Sequence, residues 1–385
     1  HVGHFMQVII MMYMQKFGHT PVVVLGGGTG MVGDPSGRTD MRQIMTVETI
    51  EHNCSQFKKL FDRFLEFDEE WEYVGNEGVF VHGHENKPEP GKAIAVNNAR
   101  WLRPLNYIDF LREVGSLFNV NTMLRAECFK QRMEREGGLT MFELNYMLMQ
   151  SYDFMVMARD FDVKIQFGGN DQWSNIIGGV DLTRKKVGKE VFGMTFSLLT
   201  NSEGNKMGKT AGNAVWLDPN KTSPFEFYQY WRNVDDNGVQ NCFKMLTFMP
   251  IDEINALTAP TANINEAKKV LAYTLTAQVH GEEEAKKAQQ AAEALFGGGG
   301  DIEHMPTLKL SDAEIESTGL RVTDLLVLGK LCTSKSDARR TIEGGGVLMN
   351  DAKVTDVYAA ADPAALESGI ILKKGKKGFL RVIKG

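Results

Sequence analysis

Pro21-Val22-Val23-Val24-Leu25 runs straight into Gly26-Gly27-Gly28-Thr29-Gly30. An unbroken apolar run of this kind suits a strand buried on both faces, the habit of a parallel sheet. The glycines behind it let the chain turn tightly at the strand's carboxyl end. The arrangement recurs where Val163-Lys164-Ile165-Gln166-Phe167 is followed by Gly168-Gly169-Asn170-Asp171-Gln172. Between the two lie helical stretches, and a helix also precedes the first. His4 to Phe17 is apolar on most faces, and Gly18 suits its C-terminal cap. Strands ending in glycine loops and separated by helices predict an α/β fold with a doubly wound parallel sheet. Ligands of such sheets sit at the carboxyl ends of the strands.

The 385 residues allow two to three domains in all. With 43% hydrophobic and 24% charged residues the chain is not mainly disordered. No apolar run reaches the roughly 18 residues of a membrane-spanning helix. The longest, Phe5 to Met14, contains Gln7 and reads as a buried helix. Cys54, Cys128, Cys242 and Cys332 lie far apart without a Cys-x-x-Cys pair. A disulfide framework or a zinc ribbon is therefore not expected, and a reducing, cytoplasmic setting is. From Arg321 to Gly385 there are 12 Lys and Arg against 7 Asp and Glu, a surplus of five. The whole chain carries −6, so the first 320 residues carry −11. An acidic body with a basic tail points to a tail that meets nucleic acid.

From about Thr222 to Phe296 the pattern is helical. Gly281 to Leu295 has acids early and strong helix formers after them. Gly297-Gly298-Gly299-Gly300 then opens a polar stretch to about Thr318, read as a linker. The tail offers helical segments at Val322–Leu328 and Ser334–Glu343, then a hairpin over Val347–Val354 with Asn350-Asp351 at its turn.

Four motifs carry chemistry, and each has a plainer reading when taken alone. Gly28-x-Gly30-x-x-Gly33 fits a dinucleotide fingerprint, but Gly33-Asp34-Pro35-Ser36-Gly37 breaks the helix that fingerprint requires. The plainer reading is that these glycines let the backbone pass close to a neighbour. Gly208-Lys209-Thr210 resembles the end of a phosphate loop, but Glu203 stands where its first glycine belongs. His1-Val2-Gly3-His4 opens the first helix and puts two imidazoles on one face beside free backbone N–H groups, an anion site. A metal pair there lacks a third ligand. Lys206-Met207-Gly208-Lys209-Thr210 brings two lysines and a hydroxyl in a polar loop, suited to phosphates.

Together the last two motifs resemble the paired signatures of class I aminoacyl-tRNA synthetases, in order and in spacing. Three further segments resemble the bacterial type of tyrosyl-tRNA synthetase: Gly33-Asp34-Pro35-Ser36-Gly37, Tyr146-x-x-x-Gln150-x-x-Asp153-Phe154, and Gly168-Gly169-Asn170-Asp171-Gln172-Trp173. The tail, with Ser334-Lys335-Ser336-Asp337-Ala338-Arg339-Arg340, is similar to the small S4 RNA-binding domain that ends such enzymes. The resemblance implies a Rossmann-like catalytic domain over 1–221 with a dimer-forming insertion at about 98–162. A helical anticodon-side domain over 222–300, the linker 301–318, and an α+β S4-like domain over 319–385 follow.

The same resemblance implies ATP-dependent attachment of L-tyrosine to tRNA(Tyr) through tyrosyl-adenylate. ATP is a substrate accompanied by Mg2+, and no dedicated metal site and no tightly bound organic cofactor are expected. His1, His4, Lys206, Lys209 and Thr210 would stabilise charge on the phosphates. Gly3, Gly169, Asp171 and Arg38 would join the ATP site, with Arg42 a weaker candidate. Tyr146, Gln150 and Asp34 would meet the α-amino group, Asp153 the phenol and Gln172 the carboxylate side. Asn98 would lie near the substrate or phosphates. Lys335, Arg339, Arg340, Lys373, Lys374, Lys376 and Lys377 would grip RNA. Phe118, Met141, Phe142 and Leu144 are the apolar residues of the insertion, where a homodimer would form, or equally its core. No membrane partner is expected.

Family members carry a strand and a Tyr-x-Gly-x-Asp-Pro-Thr loop ahead of the histidine motif, and this sequence opens at His1. The expectation is an open strand edge and poor adenylate formation or none. Tryptophanyl-tRNA synthetase shares the fold and both signatures, but Gln150 with Asp153, Asp171 with Gln172, and the tail favour tyrosine. A nicotinamide-dependent oxidoreductase and a catalytically inactive RNA-binding relative are the alternatives from other classes.

Overall fold

A computed structural model describes the chain except residues 36–44, 69–72, 75–78, 81–88, 135–137, 198, 201–206, 211–212, 297–305, 351, 368 and 376–377. The chain forms two compact units, Gly3–Thr200 and His1–Val2 together with Asn201–Gly385.

In the first unit the helix Phe5–Lys16 ends where the Gly18 N–H donates to Gln15 O at 2.9 Å, and Gly18 takes φ +81°. That left-handed turn is cheap only for glycine. The apolar run becomes the strand Val22–Leu25, paired in parallel with Ile94–Asn97. The second strand–glycine unit becomes Ile165–Gly169, paired in parallel with Phe192–Phe196. Among the described residues these are two separate two-stranded ladders. The expected parallel α/β pattern is present, with the helices Val47–Phe61, Met141–Asp160 and Trp173–Val187 around it.

The glycines after Leu25 have a steric purpose. A Cβ on Gly27 would stand 2.2 Å from Asn97 Oδ1, and one on Gly28 would stand 2.9 Å from Leu102 Cδ1. A single 3-10 turn, Thr29–Met31, follows them. The close-passage reading of Gly28-x-Gly30-x-x-Gly33 thus has direct support, and the long helix of a dinucleotide fold does not form there.

The helix Met141–Asp160 is the spine of this unit. It starts in a capping box, with the Glu143 N–H donating to Thr140 Oγ1 and the Thr140 N–H donating back to the Glu143 carboxylate. Arg132 from the helix Glu127–Met133 donates to the same carboxylate at 2.7 Å, and both side chains are buried. Burial pushes Glu143 upward, but the bonds from Arg132 and Thr140 outweigh it and hold the acid below the usual range. Farther along, the helix lies against Trp173–Val187 at Gly178 and Gly179. A Cβ on Gly179 would meet Phe154 Cβ at 2.8 Å, so only glycine allows this approach. Phe154, Val156 and Ala158 are fully buried as a result.

In the second unit Ser223 caps Pro224–Arg232 through a capping box with Glu226, and Pro224 occupies the first turn. The helices Val239–Leu246, Ile251–Leu257, Ile264–His280 and Glu282–Phe296 follow, as the composition implied. Phe227, Tyr228 and Trp231 are buried there, and Phe227 meets the His280 ring edge-on at 4.9 Å.

The tail builds a five-stranded sheet in the spatial order Ala352–Lys353, Val347–Met349, Ile370–Lys374, Gly378–Lys384 and Thr307–Leu310. The two helices expected there are present as Val322–Leu328 and Lys335–Glu343, the latter capped by Ser334. The hairpin is present too, and Asn350 turns it at φ +48°. The linker reading of 301–318 needs correction. Thr307–Leu310 pairs in parallel with Gly378–Lys384, and Asp312–Thr318 is a helix with its own capping box. Leu310 is fully buried. The stretch looks polar because only alternate residues of that strand face the core, and its partner strand comes at the chain's end. Residues 301–305 lie outside the described ones.

Candidate active site

Tyr146, Gln150 and Asp153 project from one helix, Met141–Asp160, as their spacing demands. Asp153 is 5% exposed. Its Oδ2 accepts from Asn98 Nδ2 at 2.8 Å and its Oδ1 from Trp101 Nε1 at 2.7 Å. Burial raises its pKa, the two hydrogen bonds oppose that, and the balance is about 7. Each oxygen keeps a lone pair, so the carboxylate retains the capacity to accept from a further donor.

Asn98 precedes the short helix Ala99–Leu102 and is itself buried. Its Oδ1 accepts from the backbone of Gly28 at 2.7 Å and of Thr29 at 3.4 Å. Its Nδ2 donates to Thr29 Oγ1 at 2.9 Å as well as to Asp153. All four of its positions are therefore used within the protein. This placement differs from the expected substrate contact: Asn98 ties the glycine loop to Asp153.

A second constellation is built from Asp34, Gln172 and Asn175. Gln172 Nε2 donates to Asp34 Oδ2 at 2.7 Å, and Asn175 Nδ2 donates to Gln172 Oε1 at 3.4 Å. Gln172 ends the 3-10 turn Asn170–Gln172, which also carries Asp171 behind the buried Gly169. Across from it, Gln150 Nε2 donates to Gln166 Oε1 at 3.3 Å.

His1 and Val2 of the first signature lie in the second unit, together with residues 208–210 of the second signature. The Val2 N–H donates to Val215 O at 2.9 Å, and the Val215 N–H donates to Gly208 O at 2.9 Å. The His1 ring lies edge-on to Trp216 at 5.9 Å, and Lys221 Nζ stands over that indole at 4.5 Å. The Gly208 N–H donates to the Tyr230 hydroxyl at 3.0 Å, with Gly208 at φ +92°. Lys209-Thr210 forms a short strand paired with Asn213-Ala214. Lys206, Arg38 and Arg42 lie outside the described residues, as do Lys376 and Lys377. One expectation fails here. Val2–His4 is a 3-10 turn and His1 precedes it, so the two imidazoles do not share an α-helical face. His4 stands at the cap of Phe5–Lys16.

Apolar exposure in the insertion is concentrated on Tyr107, Ile108, Val120, Met133, Met141 and Phe142. Phe118 and Leu144 instead pack into the core. In the tail Arg339 and Arg340 are exposed. Lys335 pairs with Asp324 at 2.5 Å, and Lys374 donates to Leu331 O at 2.8 Å, with Asp337 at 3.5 Å. Lys373 lies over Phe379 at 5.8 Å. Among the described residues no group of three or more His, Cys, Asp or Glu is placed to hold a metal ion, and no helix is long and apolar enough to cross a membrane.

Sequence reasoning missed Trp101, Gln166 and Asn175. Trp101 follows Asn98 by three residues and shares its helical turn, which is the one signal available for it.

Comparison with known proteins identifies the family. The family described as tRNA synthetases class I (W and Y) matches residues 1–297, and the tyrosine–tRNA ligase SYY-like C-terminal domain matches 301–382. A tyrosine–tRNA ligase of Clostridium botulinum is 52% identical over 386 residues, covering 100% of this chain and 88% of the relative. That of Lachnoclostridium phytofermentans is 53% identical over 380 residues, covering 98% and 87%. The crystal structure of a C-terminally truncated Aspergillus nidulans mitochondrial tyrosyl-tRNA synthetase superposes with a TM-score of 0.62 at 29% identity, covering 77% of this chain and 82% of that one. The chain belongs to the class I tRNA synthetases of the tryptophan and tyrosine family, with the C-terminal domain of its tyrosine branch.

Proposed function

We propose that this chain joins L-tyrosine to tRNA(Tyr) in two steps, with ATP as the energy source. The observation that carries the amino-acid choice is Asp153, a buried carboxylate held by Asn98 and Trp101 with capacity left for a further donor. A phenol supplies that donor and a phenyl ring does not. An unmet buried acceptor costs about 1–3 kcal/mol, more when it is charged. The names of the relatives at 52% and 53% identity support the same substrate.

In the first step the tyrosine carboxylate attacks the α-phosphorus of ATP. A P–O bond forms, the bond to the bridging oxygen breaks, and pyrophosphate departs. Asp34, Tyr146 and Gln150 hold the ammonium, and Gln172 steadies Asp34 on the carboxylate side. Gly169 and Asp171 take the ribose. His1, Gly3 and His4, with Lys206, Lys209, Thr210 and Arg38, meet the triphosphate, whose Mg2+ arrives with it. Negative charge grows on the phosphates in the transition state, so fixed donors and cations lower the barrier without a protein nucleophile. In the second step the 2′-hydroxyl of the tRNA terminus attacks the adenylate carbonyl and AMP leaves.

The exposed apolar residues of the insertion support a homodimer, and Arg339 and Arg340 support phosphate contacts from the S4-like tail. Four cysteines spread far apart along the chain suit work in a reducing cytoplasm. The test is exchange of labelled pyrophosphate into ATP with tyrosine, phenylalanine and tryptophan in turn. Exchange with tyrosine alone is expected. Exchange driven by tryptophan or phenylalanine in place of tyrosine would overturn the assignment.

A further inference from the structure

We propose that Gln166 is a positioning residue that fixes which end of the Gln150 amide faces the substrate ammonium. The inference rests on the tyrosine reading above and names a residue that reading does not use. A glutamine amide has two unlike ends, a carbonyl that accepts and an NH2 that donates. An ammonium ion needs the acceptor. An unrestrained amide can present either end, and the wrong one sets a donor against a cation.

The geometry favours one of the two arrangements. Gln150 Nε2 donates to Gln166 Oε1 at 3.3 Å, which leaves Gln150 Oε1 as the end available to a ligand. Gln166 stands in the strand Ile165–Gly169, a rigid element distinct from the helix that carries Gln150. Its register partner is Gly193, so no side chain crowds it from the neighbouring strand. Both glutamines are partly buried, where water competes less for the amide. The other amide of the site is treated alike. Gln172 is held by Asp34 at its nitrogen and by Asn175 at its oxygen. A site in which both glutamine amides are oriented is one in which amide direction matters.

The test uses the full 385-residue chain and calorimetric binding of L-tyrosine and of 3-(4-hydroxyphenyl)propionate, which lacks the ammonium. Gln166→Met keeps the length and removes the acceptor. It should weaken tyrosine binding about 10- to 100-fold, the scale of one unmade hydrogen bond to a charged group, and leave the propionate unchanged. In pyrophosphate exchange KM for tyrosine should rise while kcat and KM for ATP hold. Gln166→Glu, which keeps an acceptor, should recover most of the affinity. Gln150→Met with Gln166→Met should be no weaker than Gln150→Met alone. Equal weakening of both ligands by Gln166→Met, or additive losses in the double variant, would overturn the proposal and leave the tyrosine reading intact. Failure of the unaltered chain to bind tyrosine would overturn that reading itself.

Discussion

The surroundings of the helix Met141–Asp160 and the basic face of the C-terminal tail handle charge in opposite ways. Along the helix, buried charges are held by specific partners. Glu143 is closed off by Arg132 and Thr140, and Asp153 is held by Asn98 and Trp101 with capacity left for a further donor. In the tail, Arg339 and Arg340 stand in solvent, and Lys335 keeps 65% of its side chain exposed while pairing with Asp324. In the first region geometry decides, because a buried group without its partner is costly. In the second the number of charges decides, because solvent and salt screen each pair. Amino-acid choice needs the first kind of design, and attraction of a polyanion needs the second.

The sharpest way to break this contrast is Arg132→Met. It strands the Glu143 carboxylate and should cost about 3–5 kcal/mol, read in denaturant unfolding. Adding Glu143→Gln removes the stranded charge, keeps an acceptor for Thr140, and should restore much of the loss. If the single change costs less than about 1 kcal/mol, the pair behaves as a surface bridge and the contrast fails.

Next in size is Asn98→Ala. It removes every bond between the glycine loop and Asp153 that runs through this side chain, and leaves the Gly28 N–H and Asp153 short of partners. A destabilisation of about 2–4 kcal/mol is expected, with a weaker grip on tyrosine as the second readout. Unchanged stability would show that the loop holds its own position.

The smallest effect on folding belongs to the tail. Arg339→Ala and Arg340→Ala should each leave stability within about 0.5 kcal/mol. Each should lower the dependence of RNA affinity on the logarithm of salt concentration by about one unit or less. A loss of affinity that is independent of salt would mean these arginines read shape or bases instead.

Legibility in the sequence followed the same division. Residues that announce themselves by pattern were readable: the apolar strands with their glycine turns, the helices Val322–Leu328 and Lys335–Glu343, and the shared face of Tyr146, Gln150 and Asp153. The partners that make the pocket were not. Trp101 reaches Asp153 across 52 positions and Gln166 reaches Gln150 across 16, and no periodicity marks either pairing. Asn98 has the right chemistry for a substrate contact, and only the structure shows its capacity already used by Gly28, Thr29 and Asp153. The strand Thr307–Leu310 was read as linker because its pairing partner lies at the far end of the tail. His1 left the expected helical face because the backbone of Val2 is bonded to Val215.

Asp153 gives the most direct test, since its proton is shared between folding and recognition. Its carboxyl titrates near 7 when folded, against an ordinary value of about 4 for an exposed aspartate. Between those values only the unfolded chain ionises, so this group lowers stability as pH rises through the window, and its cost is complete above about 7. Recognition runs the other way. The ionised carboxylate is the stronger acceptor for the phenol, by about 1 kcal/mol, and phenylalanine is indifferent to it. The deciding measurement is the ratio of tyrosine to phenylalanine affinity by calorimetry from about pH 5.5 to 8.5. The expected result is a ratio that climbs about fivefold, centred near 7, with proton release on tyrosine binding at the midpoint. A ratio that stays flat across that range in the unaltered chain would contradict the assignment of Asp153 to the phenol.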